Sequence, residues 1–284
     1  MRQRAIMIAV LGVSVSSFGQ SNTQPATQNS TAPATQNSAA PQGKRPPQAK
    51  TQEEFQAYNA ARQLPDAAAV AKAADDFAAK YPTSELRVML YKAAMQKYQQ
   101  SNDGDKMMEM ARKALTYDPD DPEALLGVAQ VEAEQLHDTD LDKDQRVAEV
   151  KKDAERALVT IDTDLPTTGY EPAQLAAFKN YLRSEGYEVL GTVAFKINDW
   201  PGAETNLRKS IDVFPQQPDS VAVFRLAVAL DMQNKIPEAM KYADQAIDLT
   251  KDHPDSGVGK AARDEKDRLT KLSSGSAPGG ATKN

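Results

Sequence analysis

The chain contains no cysteine, only two histidines (His137 and His253) and a single tryptophan in 284 residues. Without cysteine there is no disulfide framework, no thiolate metal site, no thiol nucleophile and no lipid-modified cysteine. The histidines stand 116 positions apart, which leaves little for a histidine metal site or a nucleophile–histidine pair. Also missing are Gly-x-Ser-x-Gly, His-Glu-x-x-His, a Gly-rich phosphate loop and the dinucleotide fingerprint. Paired carboxylates abound, but pairing has no specificity in an acidic chain. No leftover stretch is long enough for a separate catalytic domain. The sequence is read as a non-enzyme that implies no cofactor.

Positive charge is scarce where it would matter. Lys and Arg number 34 against 40 Asp and Glu, a net of −6. Five of the basic residues (Arg2, Arg4, Lys44, Arg45, Lys50) fall in residues 1–50, which hold no acid, so residues 51–284 carry a net of −11. An acidic body repels nucleic-acid phosphate and anionic membrane surfaces, so nucleic acid is excluded as a partner.

Long apolar runs are absent except at the start. Met-Arg-Gln-Arg precedes an apolar run from Ala5 to about Val15, followed by Ser16-Ser17-Phe18-Gly19. A basic start, a short apolar stretch and small residues near a cut have the form of a secretory signal over residues 1–19. The run is too short to span a bilayer comfortably, so no membrane span is expected once the signal is cleaved. Residues 20–50 are Gln, Asn, Ser, Thr, Ala and Pro with an internal copy, Pro25-Ala26-Thr27-Gln28-Asn29-Ser30 recurring as Pro33-Ala34-Thr35-Gln36-Asn37-Ser38. Such a stretch has almost nothing to bury and is expected to be a disordered spacer. A second small-residue tail is expected over 273–284. The export signal points to a periplasmic or secreted protein of a bacterial envelope.

From residue 51 to 272, about 78% of the chain, the composition is Ala, Leu, Glu, Lys, Gln and Met, with Gly and Pro at punctuated places. The clearest unit is 184–217: Tyr187, Leu190-Gly191 and Ala194, a turn at Asn198-Asp199, then Ala203, Leu207, Ser210 and Pro215. Gly191 and Ala203 let two helices approach closely, Leu190 and Leu207 fill the seam, Asp199 caps the second helix and Pro201 suits its first turn. This unit resembles a tetratricopeptide repeat. The pattern recurs in 220–253 (Leu226-Ala227, Leu230, Asn234, Ala239, Ala243, Ala246), 88–121 (Tyr91, Ala94, Tyr98, Asn102-Asp103-Gly104, Met107, Ala111, Ala114), 122–165 (Leu125, Val128-Ala129, Ala154, Ala157) and, more divergently, 51–83 (Phe55, Tyr58, Ala61, Val70, Ala74, Phe77). The second-helix packing position falls at Phe77, Ala114, Ala157, Ser210 and Ala246, at intervals of 37, 43, 53 and 36 residues. The longest interval needs an extra segment, assigned to 163–183, with Pro172 starting a long helix through Phe178 and Tyr181. Residues 255–272 are expected to form a polar capping helix.

The resemblance implies an all-α fold: a right-handed superhelical solenoid of about five antiparallel helix pairs with a C-terminal capping helix. It also implies a groove lined by the first helix of each pair, with Lys92, Gln96, Gln99, Gln130, Glu134, Glu188, Thr192, Phe195, Phe224 and Asp231 as lining positions. Such a groove holds an extended peptide or a partner helix, so the expected partner is a protein or peptide and the expected role is an interaction scaffold. The stretch from Phe77 to Ser84 is similar to repeats of bacterial outer-membrane assembly and cell-division coordinator proteins. The lack of cysteine speaks against a lipid-anchored assembly role, leaving a soluble periplasmic coordinator as the narrower alternative. A third reading is calcium-responsive. Asp138, Asp140, Asp142 and Glu149 occupy the first, third, fifth and twelfth positions of an EF-hand-like loop, but Lys143 stands where the turn wants Gly and Gln145 where an apolar residue belongs.

Overall fold

Three asparagines punctuate the chain. Asn102, Asn198 and Asn234 have φ of 60°, 59° and 58°, the left-handed region that Asn tolerates better than most residues with a Cβ. After each, the next backbone N–H bonds to a carbonyl five residues back: Asp103 to Tyr98 at 3.0 Å, Asp199 to Ala194 at 2.8 Å and Lys235 to Leu230 at 2.9 Å. This closes the first helix of a pair and starts the second within about three residues.

The computed structural model describes residues 43–166 and 170–275. Among them are eleven helices and no strand: α1 (Gln52–Arg62), α2 (Ala67–Lys80), α3 (Leu86–Gln100), α4 (Gly104–Leu115), α5 (Pro122–Glu134), α6 (Lys143–Thr163), α7 (Pro172–Lys196), α8 (Trp200–Val213), α9 (Ser220–Asp231), α10 (Ile236–Leu249) and α11 (Gly257–Ser273). The N-cap carboxylates of Asp66, Asp103, Asp121, Asp199 and Asp219, with Thr51 and Ser256, accept backbone N–H groups of their helices' first turns. Each cap is worth about 1 kcal/mol. The expected signal, the spacer up to residue 42 and the tail from residue 276 lie outside the described residues.

Helices pack in chain order, each against the next, as α1–α2, α3–α4, α5–α6, α7–α8 and α9–α10, with α11 closing the stack against α10 and α9. Odd-numbered helices also touch the next odd-numbered helix at every step, whereas no even-numbered pair does so appreciably. Odd helices therefore form the inner layer of a curved solenoid and even helices the outer layer. The five second-helix positions expected from spacing are all buried: Phe77, Ala114, Ala157, Ser210 and Ala246. Close approach is enforced at Gly191, where a Cβ would fall 2.7 Å from Leu207 Cδ2 and 3.2 Å from the Leu207 backbone nitrogen. The extra segment becomes the first turns of the 25-residue α7. There Phe178 stacks between Tyr170 and Tyr181, and Tyr181 meets Phe214 edge-on. No helix among the described residues is long and apolar enough to cross a membrane.

Residues 43–50 depart from the spacer reading. They form no helix or strand and lie along the edge where odd helices begin. The Lys44 N–H bonds Thr163 O at 3.1 Å, the Gln48 N–H bonds Glu85 Oε2 at 3.2 Å, and the Lys50 N–H bonds Glu54 Oε2 at 2.8 Å. Composition alone does not reveal this, because the partners come from three different repeats.

Candidate partner-binding cleft

α5 and α7 lie side by side in the inner layer, and their facing residues recur at three- and four-residue spacing, which stacks them on one stripe of each helix. Gln130, Ala133 and Glu134 from α5 and Glu185, Glu188, Val189 and Thr192 from α7 line a small, open cleft of about 20 Å³. Ala133 and Val189 are buried and make an apolar floor. Above it stand three carboxylates, one amide and one hydroxyl.

α9 closes one end. Arg225 makes a two-pronged bridge to Glu134, Nη1 to Oε1 and Nη2 to Oε2, both at 2.8 Å, while Nη1 also donates to Thr192 Oγ1 at 2.9 Å. Burial pushes the Glu134 carboxyl up, but the Arg225 bond and charge more than offset it, so Glu134 is held below the ordinary carboxylate range. Lys196 Nζ donates to the carbonyls of Glu134 (2.9 Å) and Leu136 (3.1 Å), at the helix end where positive charge is favoured. Glu185 accepts from the Tyr181 hydroxyl. The cleft thus has polar walls held by an ion pair that ties α5, α7 and α9 together. It offers hydrogen-bond acceptors and charge to a passing segment.

Of the ten groove positions expected from sequence, Gln130, Glu134, Glu188 and Thr192 meet in this cleft. Gln96 is half-buried and Gln99 exposed, both on α3 and away from the cleft. The other four do different work. Lys92 is buried, its ammonium 2.8 Å from Asp121 and 2.5 Å from Glu123. Burial pulls its pKa down and the two carboxylates more than restore it, so it stays charged. Phe195 packs edge-on against Trp200, with ring centroids 5.4 Å apart, and belongs to the α8–α10 core. Phe224 packs against the small cluster of Val223, Ala246 and Ala262. Asp231 is ion-paired with Arg268 of the capping helix. All four lie on odd-numbered helices of the inner layer. What sequence did not reveal was that the neighbouring repeat or the cap covers them. Arg225 and Glu185 were missed. Helical spacing from Glu188 would have found Glu185, whereas Arg225 carries no local signal.

Three of the four residues offered for calcium have partners within the loop and α6. Asp138 pairs with Lys143 at 2.7 Å, and Asp140 pairs with Arg146 at 2.6 Å while accepting the His137 N–H at 2.9 Å. Glu149 accepts from Gln145 within α6 at 2.9 Å. The lysine that breaks the loop consensus supplies the neutralising charge itself. Among the described residues no group of three His, Asp or Glu side chains is arranged to hold a metal ion.

Residues 189–254 match the family model of the tetratricopeptide repeat, covering the end of α7 through α10 and the residues just after it. No curated protein matches the chain. Among solved structures, YrrB, described as a TPR protein with an unusual peptide-binding site, is 18% identical, covering 70% of this chain and 89% of its own at a TM-score of 0.42. A crystal structure of MamA protein is 16% identical, covering 66% and 88% at 0.40. The assembly chaperone of RpL4, Acl4, is 15% identical, covering 79% and 99% at 0.41.

Proposed function

We propose that this chain is an exported scaffold of the bacterial envelope that holds a segment of a partner protein in the α5–α7 cleft. The observation that carries the reading is the cleft itself: two adjacent inner helices present Gln130, Glu134, Glu188 and Thr192 to one open space, braced by Arg225. An open trough with a short apolar floor and polar walls suits a side-chain-bearing segment rather than an enclosed small molecule. The family match over 189–254 supports an interaction role. The basic start and short apolar run of residues 1–19 support export. A soluble coordinator of envelope machinery is the narrower form of this role.

Two measurements test it. Peptides displayed against the full chain should yield a family of binders whose affinity falls at least about tenfold in Glu188→Lys, an effect of the size expected for one central interface residue. Binders that keep their affinity in that variant would move the site to another face. A tagged full-length chain should leave the cytoplasm, and deletion of residues 1–19 should retain it. Cytoplasmic retention of the intact chain would sink export while leaving the cleft untouched.

A further inference from the structure

Residues 43–50, Gly-Lys-Arg-Pro-Pro-Gln-Ala-Lys, lie on the solenoid as a ligand would. The segment crosses three repeats, and two consecutive prolines fix φ and lower the entropy lost on binding. It is held through backbone and side chains alike. Besides the three backbone N–H bonds already described, Lys44 Nζ reaches both oxygens of Asp118 at 2.6 Å and Asp164 Oδ1 at 3.8 Å. Arg45 forks onto Glu85, with Nη1 to Oε2 at 2.8 Å, and Lys50 Nζ donates to Thr83 Oγ1 at 2.9 Å. The acidic partners of its basic side chains sit between helices, Glu85 just before α3, Asp118 between α4 and α5 and Asp164 after α6, while Glu54 in the first turn of α1 accepts the Lys50 N–H. The edge is therefore a row of carboxylates at successive repeats, facing a basic segment.

The grip is shallow. The side chains of Lys44 and Arg45 remain 42% and 64% exposed, and such ion pairs are individually weak. Ala49 is the apolar residue of the segment that packs on the core. What keeps the segment in place is its attachment to α1 one residue away, which makes binding intramolecular. A separate chain with the same chemistry meets the same carboxylates and can take its place.

We propose that this edge is a second docking surface, for an extended, basic, proline-containing segment of another protein, and that residues 43–50 fill it in cis and set the threshold for exchange. It is built from inter-repeat loops, and the α5–α7 cleft contributes nothing to it.

The test uses a fluorescent synthetic peptide of residues 43–50 and the full chain. Lys44→Glu/Arg45→Glu should release the chain's own segment and raise peptide affinity about tenfold over wild type, the scale of a lost intramolecular competitor. Adding Glu85→Gln/Asp118→Asn should abolish that binding, and a peptide with its Lys and Arg changed to Gln should not bind. If the charge-reversed chain unfolds by circular dichroism, Pro46→Gly/Pro47→Gly loosens the segment with its charges intact and should gain affinity several-fold. No gain in a folded variant overturns the proposal, as does binding that survives loss of Glu85 and Asp118. Glu188→Lys in the charge-reversed background should leave peptide binding unchanged. A loss there would move the binding to the cleft and overturn the edge.

Discussion

The α3–α5 seam and the α5–α7 seam are built from equivalent inner helices, and an ion pair between repeats borders each: Lys92 of α3 with Asp121 and Glu123 at the start of α5, and Glu134 of α5 with Arg225 of α9. In the first, Lys92 is sealed, 10% exposed against Asp121 at 8% and Glu123 at 14%. In the second, Glu134 remains 30% exposed beside Arg225 at 12%, and the pair borders an open cleft. Asp121 and Glu123 stand at the start of α5, so helix packing alone carries them over Lys92. Glu134 ends α5, where the chain departs into the 135–142 loop and leaves room. A charge on an inner helix is therefore no sign of a binding face. What opens the face is the position along the helix at which the next repeat's termini fall.

Breaking the sealed pair gives the largest effect. Lys92→Ala leaves two buried carboxylates without their cation and should cost about 3–5 kcal/mol, lowering the melting temperature by roughly 10 °C for a body of this size. Thermal circular dichroism reads it, and a shift under about 3 °C would show the seam to be as open as its neighbour. Next comes the cleft pair. Glu134→Gln should cost about 1 kcal/mol at pH 7, as for a partly exposed charged bridge. Because folding holds the Glu134 carboxyl low, its contribution is full above the ordinary carboxylate range and is lost as pH falls through the folded value. Wild type and Glu134→Gln should therefore stay apart through the ordinary carboxylate range and converge in urea stability only as the pH falls below the lowered folded-state value. Persistent separation there would assign the effect to packing.

A comparable loss of about 1 kcal/mol is expected for Asn198→Ala, which places an ordinary Cβ at positive φ, while Asn198→Gly should be close to neutral. Equal losses in both would mean the Asn side chain, not the backbone, holds the turn. Gln130→Ala, at the cleft wall, should change stability by no more than about 0.5 kcal/mol yet weaken any partner seated there. The smallest effect is calcium: millimolar calcium should shift the melting temperature by less than about 1 °C, because Asp138 and Asp140 already have cationic partners in the native state.

What sequence made legible was everything local. The five helix pairs, the cap at Asp199, the long helix from Pro172 and the buried positions at 77, 114, 157, 210 and 246 follow from spacing and end chemistry within one repeat. The resemblance to the repeat family, and not spacing alone, offered Gln130, Glu134, Glu188 and Thr192 as groove positions, and they line one cleft. Sequence reasoning stopped where a partner arrives from elsewhere in the chain. Arg268 covers Asp231 from 37 residues away, Asp121 seals Lys92 from 29, and Arg225 reaches Glu134 across 91. Residues 43–50 are the extreme case: Lys44 meets Thr163, and no periodicity links them. Low apolar content predicts disorder only when the segment must supply its own burial.

That segment also changes how the solenoid bends. A stack in which each repeat grips only its neighbours is a spring, equally compliant at every joint. The chain from Lys50 at Glu54 to Lys44 at Thr163 spans the joints of the first three repeats and acts as a batten along one side. Its bonds cross the joints from α1 to α6 and stop short of α7. The cleft lies just beyond the last joint the segment crosses, where Arg225 instead ties α9 to Glu134 of α5 and Thr192 of α7.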